Sequence, residues 1–272
     1  MASKKSSKRS SSFRNRRDTH ITVIQKDFTP RDRYKDKFLT GHLDITLKIP
    51  MDFYLRIGSG EDVEIIDSSL VKAVLRGNNL NEIKSKLEII DVSQQSRSHE
   101  TIIIPGSTLK GAIRFRLEQS FIATSKVHAC YVVRSFPPVP KKSWRHKKAY
   151  GYNQPRHTCR NNKHPCTVCN IFGMMGLRGK IFFTDAELTE GTIEIVELNI
   201  RRGRTSREEA VKPGSKFQFQ IYFEDFSEDE LGLLFFAMNL DNNQPILLGR
   251  HKYAIQKMNG EKIKFWEITS LI

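Results

Sequence analysis

Ile104-Pro105-Gly106-Ser107-Thr108-Leu109-Lys110-Gly111-Ala112-Ile113-Arg114 packs a strand end, a turn and a helix start into eleven residues. The β-branched run Thr101–Ile104 stops at Pro105 and Gly106. Ser107 can then cap a helix that carries Leu109, Ile113, Leu117 and Phe121 on one stripe. Lys110 and Arg114 are four residues apart and fall off that stripe, so both can point at one ligand near the helix start. The N–H groups and positive potential of a helix N-terminus suit an anion there.

Outward from this turn the strand signals are clear. Upstream, Leu43, Ile45, Leu47 and Ile49 alternate with polar residues, the period of a half-buried strand. Downstream, residues 180–186, 192–200 and 216–223 read as strands, with 201–213 as a polar excursion at the tip of a hairpin. Ser227 and Glu230 form a capping box ahead of Leu231, Leu234, Phe235 and Met238, which marks a second amphipathic helix. A final pair of strands is expected near 245–256 and 262–268. The order is βαββαβ with insertions. It predicts an α+β fold of the ferredoxin-like (RRM-like) kind, an antiparallel sheet with two helices on one face. Residues 61–100 are assigned as an insertion with a short helix near 80–88.

The charge is large and unevenly spread. Lys and Arg number 45 against 30 Asp and Glu, a net charge of +15, which points to a polyanionic partner. Residues 1–17 hold seven Lys or Arg and no acid in a Ser-rich setting. We therefore expect 1–40 to be a basic arm, disordered when unbound, ahead of one domain over 41–272. Between Glu118 and Asp185 there is no acidic residue and there are twelve Lys or Arg. Trp144, Tyr150 and Tyr152 lie there among Lys141, Lys142 and Arg145, the mixture that neutralises phosphates and stacks bases. No run approaches the ~20 apolar residues that span a bilayer, and there is no apolar signal-peptide core. The expected compartment is the cytoplasm, with no membrane partner.

Three of the four cysteines crowd together as Cys159, Cys166 and Cys169, better suited to metal than to a disulfide framework. Thiolates completed by a fourth donor give a closed tetrahedral zinc site. His157, His164 and Cys130 compete for that position, and spacing favours His157. The expectation is a structural zinc within a basic loop over 126–179.

The stretch from Ile104 to Arg114 resembles the signature turn and helix of the RAMP superfamily. Cys166-Thr-Val-Cys169-Asn-Ile171-Phe172-Gly173, followed by Gly179-Lys180-Ile181 and Thr184-Asp185-Ala186, is similar to that family's cysteine pair, phenylalanine-glycine turn and next strand. Residues 199–215 resemble a shortened form of the family's thumb hairpin. Leu248-Gly249-Arg250-His251-Lys252-Tyr253 sits where the family has a glycine-rich basic loop, though most of those glycines are missing.

The resemblance implies a backbone-type subunit of a type III CRISPR effector complex, acting in antiviral defence. Its partners would be a CRISPR guide RNA, the target RNA and RAMP-like neighbouring subunits. It implies that Gly106, Ser107, Lys110 and Arg114 meet the guide, joined by Arg201, Arg202 and Arg204 on the thumb and by Arg250 and Lys252. It also implies an endoribonuclease aspartate in the loop after the first strands. Of Glu61, Asp62, Glu64, Asp67 and Asp91, Asp67 fits best, in Ile66-Asp67-Ser68-Ser69, where it could orient a 2′-hydroxyl or bind a divalent ion such as Mg. The alternatives are a non-catalytic scaffold or capping subunit of the same complex, and a free-standing RNA-binding zinc protein.

Overall fold

The computed structural model describes residues 22–24, 31, 36–65, 72, 76, 90–121, 126–130, 159, 164–200, 204–241, 245–248, 255–258, 261–265 and 269–271. Its centre is a seven-stranded sheet built from β1 (Leu39–Lys48), β2 (Arg97–Ser98), β3 (Thr101–Ile104), β4 (Ile181–Phe183), β5 (Ala186–Glu190), β6 (Lys216–Phe226) and β7 (Thr269–Leu271). The spatial order is β7-β1-β6-β5-β3-β2, with β4 also pairing β6, and every pairing in it is antiparallel.

Helix α1 (Gly106–Ser120) follows β3, α2 (Thr167–Phe172) precedes β4, and α3 (Glu228–Met238) follows β6. The two longest strands, β1 and β6, pair at the centre, and the last strand joins the outer edge of β1. This α+β arrangement is compatible with the expected ferredoxin-like fold. On β6, Phe217, Phe219, Ile221 and Phe223 are buried and face Ile45 and Leu47 of β1 and Leu109, Ile113 and Leu117 of α1 in one core. Each such side chain is worth about 1.5–3 kcal/mol of apolar burial. The capping box at Ser227 and Glu230 is present, with both hydrogen bonds made.

Three expectations are corrected. Residues 204–211 are not a polar excursion but a strand, paired with Ile193–Ile200 from Ile193↔Val211 to Ile200↔Arg204. Their period was hidden because the polar side chains are satisfied inside the sheet. Glu208 is buried and takes a 2.8 Å hydrogen bond from Arg56 Nε, while Glu209 pairs with Arg97 at 2.8 Å.

The stretch read as an insertion contributes its two ends, Gly58–Ile65 and Ile90–Gln95, as antiparallel strands. They extend the 193–211 hairpin into a four-stranded sheet. The helix expected near 80–88 lies outside the described residues.

At the C-terminus, Pro245 has no N–H to offer a ladder, and residues 245–248 form no strand. Ile255–Met258 and Glu261–Phe265 form a hairpin on Phe53–Tyr54, leaving β7 to complete the central sheet.

Candidate metal centre and nucleic-acid interface

Helix α2 is a single tight knuckle whose ends are fixed by its own cysteines. Cys166 is its N-cap and accepts a hydrogen bond from the Cys169 N–H at 3.4 Å. At the other end the chain reverses at Gly173, where φ is +86° and a Cβ would stand 2.6 Å from Gly179 N, so a side chain is excluded twice over. Cys130 and Cys159 arrive from two other segments. The four Sγ atoms lie within 4.8 Å of one another, all from buried residues and none in a disulfide.

The donor set fits a tetrahedral metal. Four Zn–S bonds of about 2.3 Å imply sulfur–sulfur edges of about 3.8 Å. Cys130 Sγ and Cys169 Sγ are 3.4 Å apart, and the Cys166 N–H donates to Cys159 Sγ at 3.2 Å. Hydrogen bonding among the four thiols pulls Cys159 and Cys166 down from the ordinary thiol range and pushes Cys130 and Cys169 up, so the four cannot all ionise alone. A bound divalent cation is what would make all four thiolates. Of the three candidates for the fourth ligand, Cys130 is the one in the cluster. His164 is exposed and outside it, and His157 lies outside the described residues.

The signature helix is seated beside this knuckle. Its N-cap is Pro105 rather than Ser107, which is exposed in the first turn. The Gly106 N–H donates instead to Asp185 Oδ1 at 2.7 Å, a cap supplied from 79 residues away. Ser107 fails as a cap because the chain enters helical geometry one residue earlier. A Cβ on Gly106 would stand 2.3 Å from the Phe183 carbonyl oxygen, so only glycine lets the helix start approach the end of β4 this closely.

Lys110 and Arg114 both leave the apolar stripe, as expected, but they reach back toward the knuckle and β4. Lys110 Nζ donates to the Ile181 carbonyl at 2.9 Å, and burial, then the charge of Arg114, lowers its pKa. Arg114 donates to Glu118 at 2.9 Å, to the Gly173 carbonyl at 2.7 Å and to Cys169 Sγ at 3.6 Å. Burial works to lower its pKa, and the hydrogen bond and charge of Glu118 with the nearby thiols outweigh it. Burial in turn holds Glu118 above the ordinary carboxylate range, against Arg114.

Lys141, Lys142, Trp144, Arg145, His157, Asp67, Arg201, Arg202, Arg250 and Lys252 lie outside the described residues. Arg204 opens the strand Arg204–Val211. Glu61, Asp62 and Glu64 belong to one strand and Asp91 to its neighbour, with Ile65 paired to Ile90. Sequence reasoning missed Asp185 as a cap. Its signal was present, since Thr184-Asp185-Ala186 was already part of the motif.

Among the described residues no helix is long and apolar enough to cross a membrane. None of the curated proteins matches this chain. The family model of the RAMP superfamily matches residues 53–249, which takes in the hairpin sheet, the signature turn, the knuckle and α3. Members of that family work with RNA in CRISPR ribonucleoproteins, which suggests a CRISPR-associated RNA-binding subunit here. With that match over more than half of its length, the chain belongs to the RAMP superfamily.

Proposed function

We propose that this chain is a guide-RNA-binding subunit of a type III CRISPR effector, holding the guide backbone while base pairing selects the target. The observation that carries the reading is the seating of the signature turn. Gly106 is locked against β4, which fixes the exposed Ser107 and, one turn on, Lys110 at the start of a 15-residue helix. The excess of cations supplies the sequence-independent part of binding. In this reading Arg201, Arg202 and Arg204 on a thumb-like hairpin, Lys141, Lys142, Trp144 and Arg145 in the basic loop, and Arg250 and Lys252 add further contacts.

Cys130, Cys159, Cys166 and Cys169 would hold a structural zinc, which when bound cross-links three chain segments. Arg114 then acts from the inside, tying α1 to the knuckle. Asp67 is our candidate for target cleavage, orienting the attacking 2′-hydroxyl with a divalent ion such as Mg.

A non-catalytic scaffold or capping role in the same complex is favoured by one specific feature. The segment 248–253 keeps one glycine, Gly249, where the family loop has several. Cleavage of a labelled complementary RNA by the assembled complex, with Asp67→Ala beside wild type, separates the two. Lost cuts with guide RNA retained support the catalytic role, whereas persistent cuts leave this chain as the RNA-holding scaffold. A variant complex that assembles without guide RNA would contradict both assignments.

A further inference from the structure

The face of the central sheet turned away from the helices carries a row of aromatic rings. Phe182 on β4 and Tyr222 on β6 are directly paired, and Tyr222 is directly paired with His42 on β1. The rings stand 6.5 Å and 5.8 Å apart between centroids, so three neighbouring strands each present one ring at the same level. Phe182 is 62% exposed and Tyr222 42%, although large aromatics at such positions ordinarily find cover. At about 4.8 Å per strand the row spans about 10 Å, room for about two stacked bases.

The surroundings are those of a nucleobase site rather than of a protein contact. Hydrogen-bonding groups predominate beside the rings, with Ile45 and Phe219 as the apolar lining of the neighbouring groove. Tyr222 Oη donates to Gln220 Oε1 at 2.5 Å, and Gln220 Nε2 donates to Asp44 Oδ1 at 2.7 Å. Gln220 and Asp44 in turn line a groove of about 530 Å³ with Thr46, Thr184 and Gln218. Amides, hydroxyls and the carboxylates of Asp44, Asp185 and Glu187 offer both donors and acceptors to base edges.

Along the strands, at the end of the platform away from this groove, a hollow of about 180 Å³ joins Phe182 and Tyr222 to Lys110, Arg178 and Glu224, with Arg178 and Glu224 paired at 3.1 Å. The charge therefore differs between the two ends: Lys110 and Lys180 stand beside the Arg178–Glu224 pair at one, and Asp44, Asp185 and Glu187 line the groove at the other. A strand of RNA satisfies both ends when its phosphates follow Lys110 and Arg178 and its bases turn onto the rings.

We infer that the open sheet face is a stacking platform for single-stranded RNA, with Phe182 and Tyr222 as its base-contacting residues, His42 extending it and Lys110 anchoring the phosphate. The inference rests on the RNA-binding role proposed above and adds to it a second, base-directed surface that no signature motif marks.

The test uses the full chain and two fluorescein-labelled probes, a short oligouridine and the same sugar–phosphate backbone with abasic residues, read by anisotropy across a salt series. Phe182→Ala and Tyr222→Ala should each weaken oligouridine binding about tenfold, leave abasic binding unchanged and keep the salt slope of wild type. Phe182→Tyr and Tyr222→Phe should bind like wild type. Lys110→Ala should weaken both probes.

If the alanine variants bind oligouridine as wild type does while Lys110→Ala weakens both probes, RNA binding stands and the platform is wrong. If wild type binds neither probe, the RNA-binding role and the platform fail together. Alanine variants that bind both probes normally but drop out of the assembled complex would assign the face to a protein neighbour and overturn the platform. Unchanged thermal melting of the variants, expected for exposed side chains, excludes unfolding as the cause of any loss.

Discussion

Arg114 Nη2 lies 3.6 Å from Cys169 Sγ, while its Nη1 donates to the Gly173 carbonyl at 2.7 Å, so a single side chain of the signature helix grips the cysteine knuckle at two points. The signature helix and the candidate metal centre are thus one mechanical unit.

Arg114→Ala should therefore damage more than a surface charge. It removes the 2.9 Å hydrogen bond to the buried Glu118 carboxylate, and a hydrogen bond to a charged group is worth about 1.5–3 kcal/mol. Urea unfolding should show that loss, and Glu118→Leu in the same chain should recover part of it. Loss of the contact to Cys169 should also weaken zinc retention about tenfold in chelator competition.

Purified chain should carry one equivalent of zinc, and a strong chelator should lower its melting temperature. Cys130→Ser should lose metal as readily as Cys166→Ser, because their sulfurs belong to the same cluster. His157→Ala should keep it, since four thiolates already close a tetrahedral site. Elemental analysis of the three variants checks this, and zinc loss from His157→Ala alone would overturn the four-cysteine assignment.

Two glycines in one helix should respond in opposite directions. Gly106→Ala forces a methyl group to within 2.3 Å of the Phe183 carbonyl and should destabilise by about 1–3 kcal/mol. Gly111→Ala meets nothing within 4 Å and should stabilise by about 0.5–1 kcal/mol through helix propensity alone. Denaturant midpoints of the two variants make the comparison.

The hairpin sheet should carry an acid-sensitive part of the stability. Burial pushes Glu209 up, but hydrogen bonds from Arg97 and the Gln95 N–H, with the charges of Arg97 and Arg56, hold it below the usual carboxylate range. A folded pKa below the unfolded one gives stability that is present above the unfolded value of about 4.3 and is lost as pH falls through the folded value. Glu209→Gln should flatten the decline of the urea midpoint below about pH 4.3, whereas an unchanged slope would show that the pairing contributes nothing to the acid limb.

Much of this architecture is legible in the sequence. The strand Leu39–Lys48 and helices α1 and α3 follow from alternation, stripe and capping box, because local pattern and tertiary burial agree there. Legibility failed where polar residues are satisfied by distant partners. Arg204–Val211 looked like a loop because Glu208 and Glu209 meet Arg56 and Arg97 only after folding. Asp185 as the cap of α1, and Cys130 as the fourth thiol, depend on contacts 79 and 39 residues away, which spacing alone does not rank. The row His42, Tyr222 and Phe182 is invisible in sequence for the same reason, since three strands bring it together.

The central claim, that this chain holds a guide RNA, is tested most directly by sequencing the RNA that copurifies with it in its assembled complex. The account predicts RNAs of defined length sharing a repeat-derived end joined to variable spacer sequence, depleted in Lys110→Ala. A mixture of unrelated cellular fragments, or no RNA at all, would contradict it.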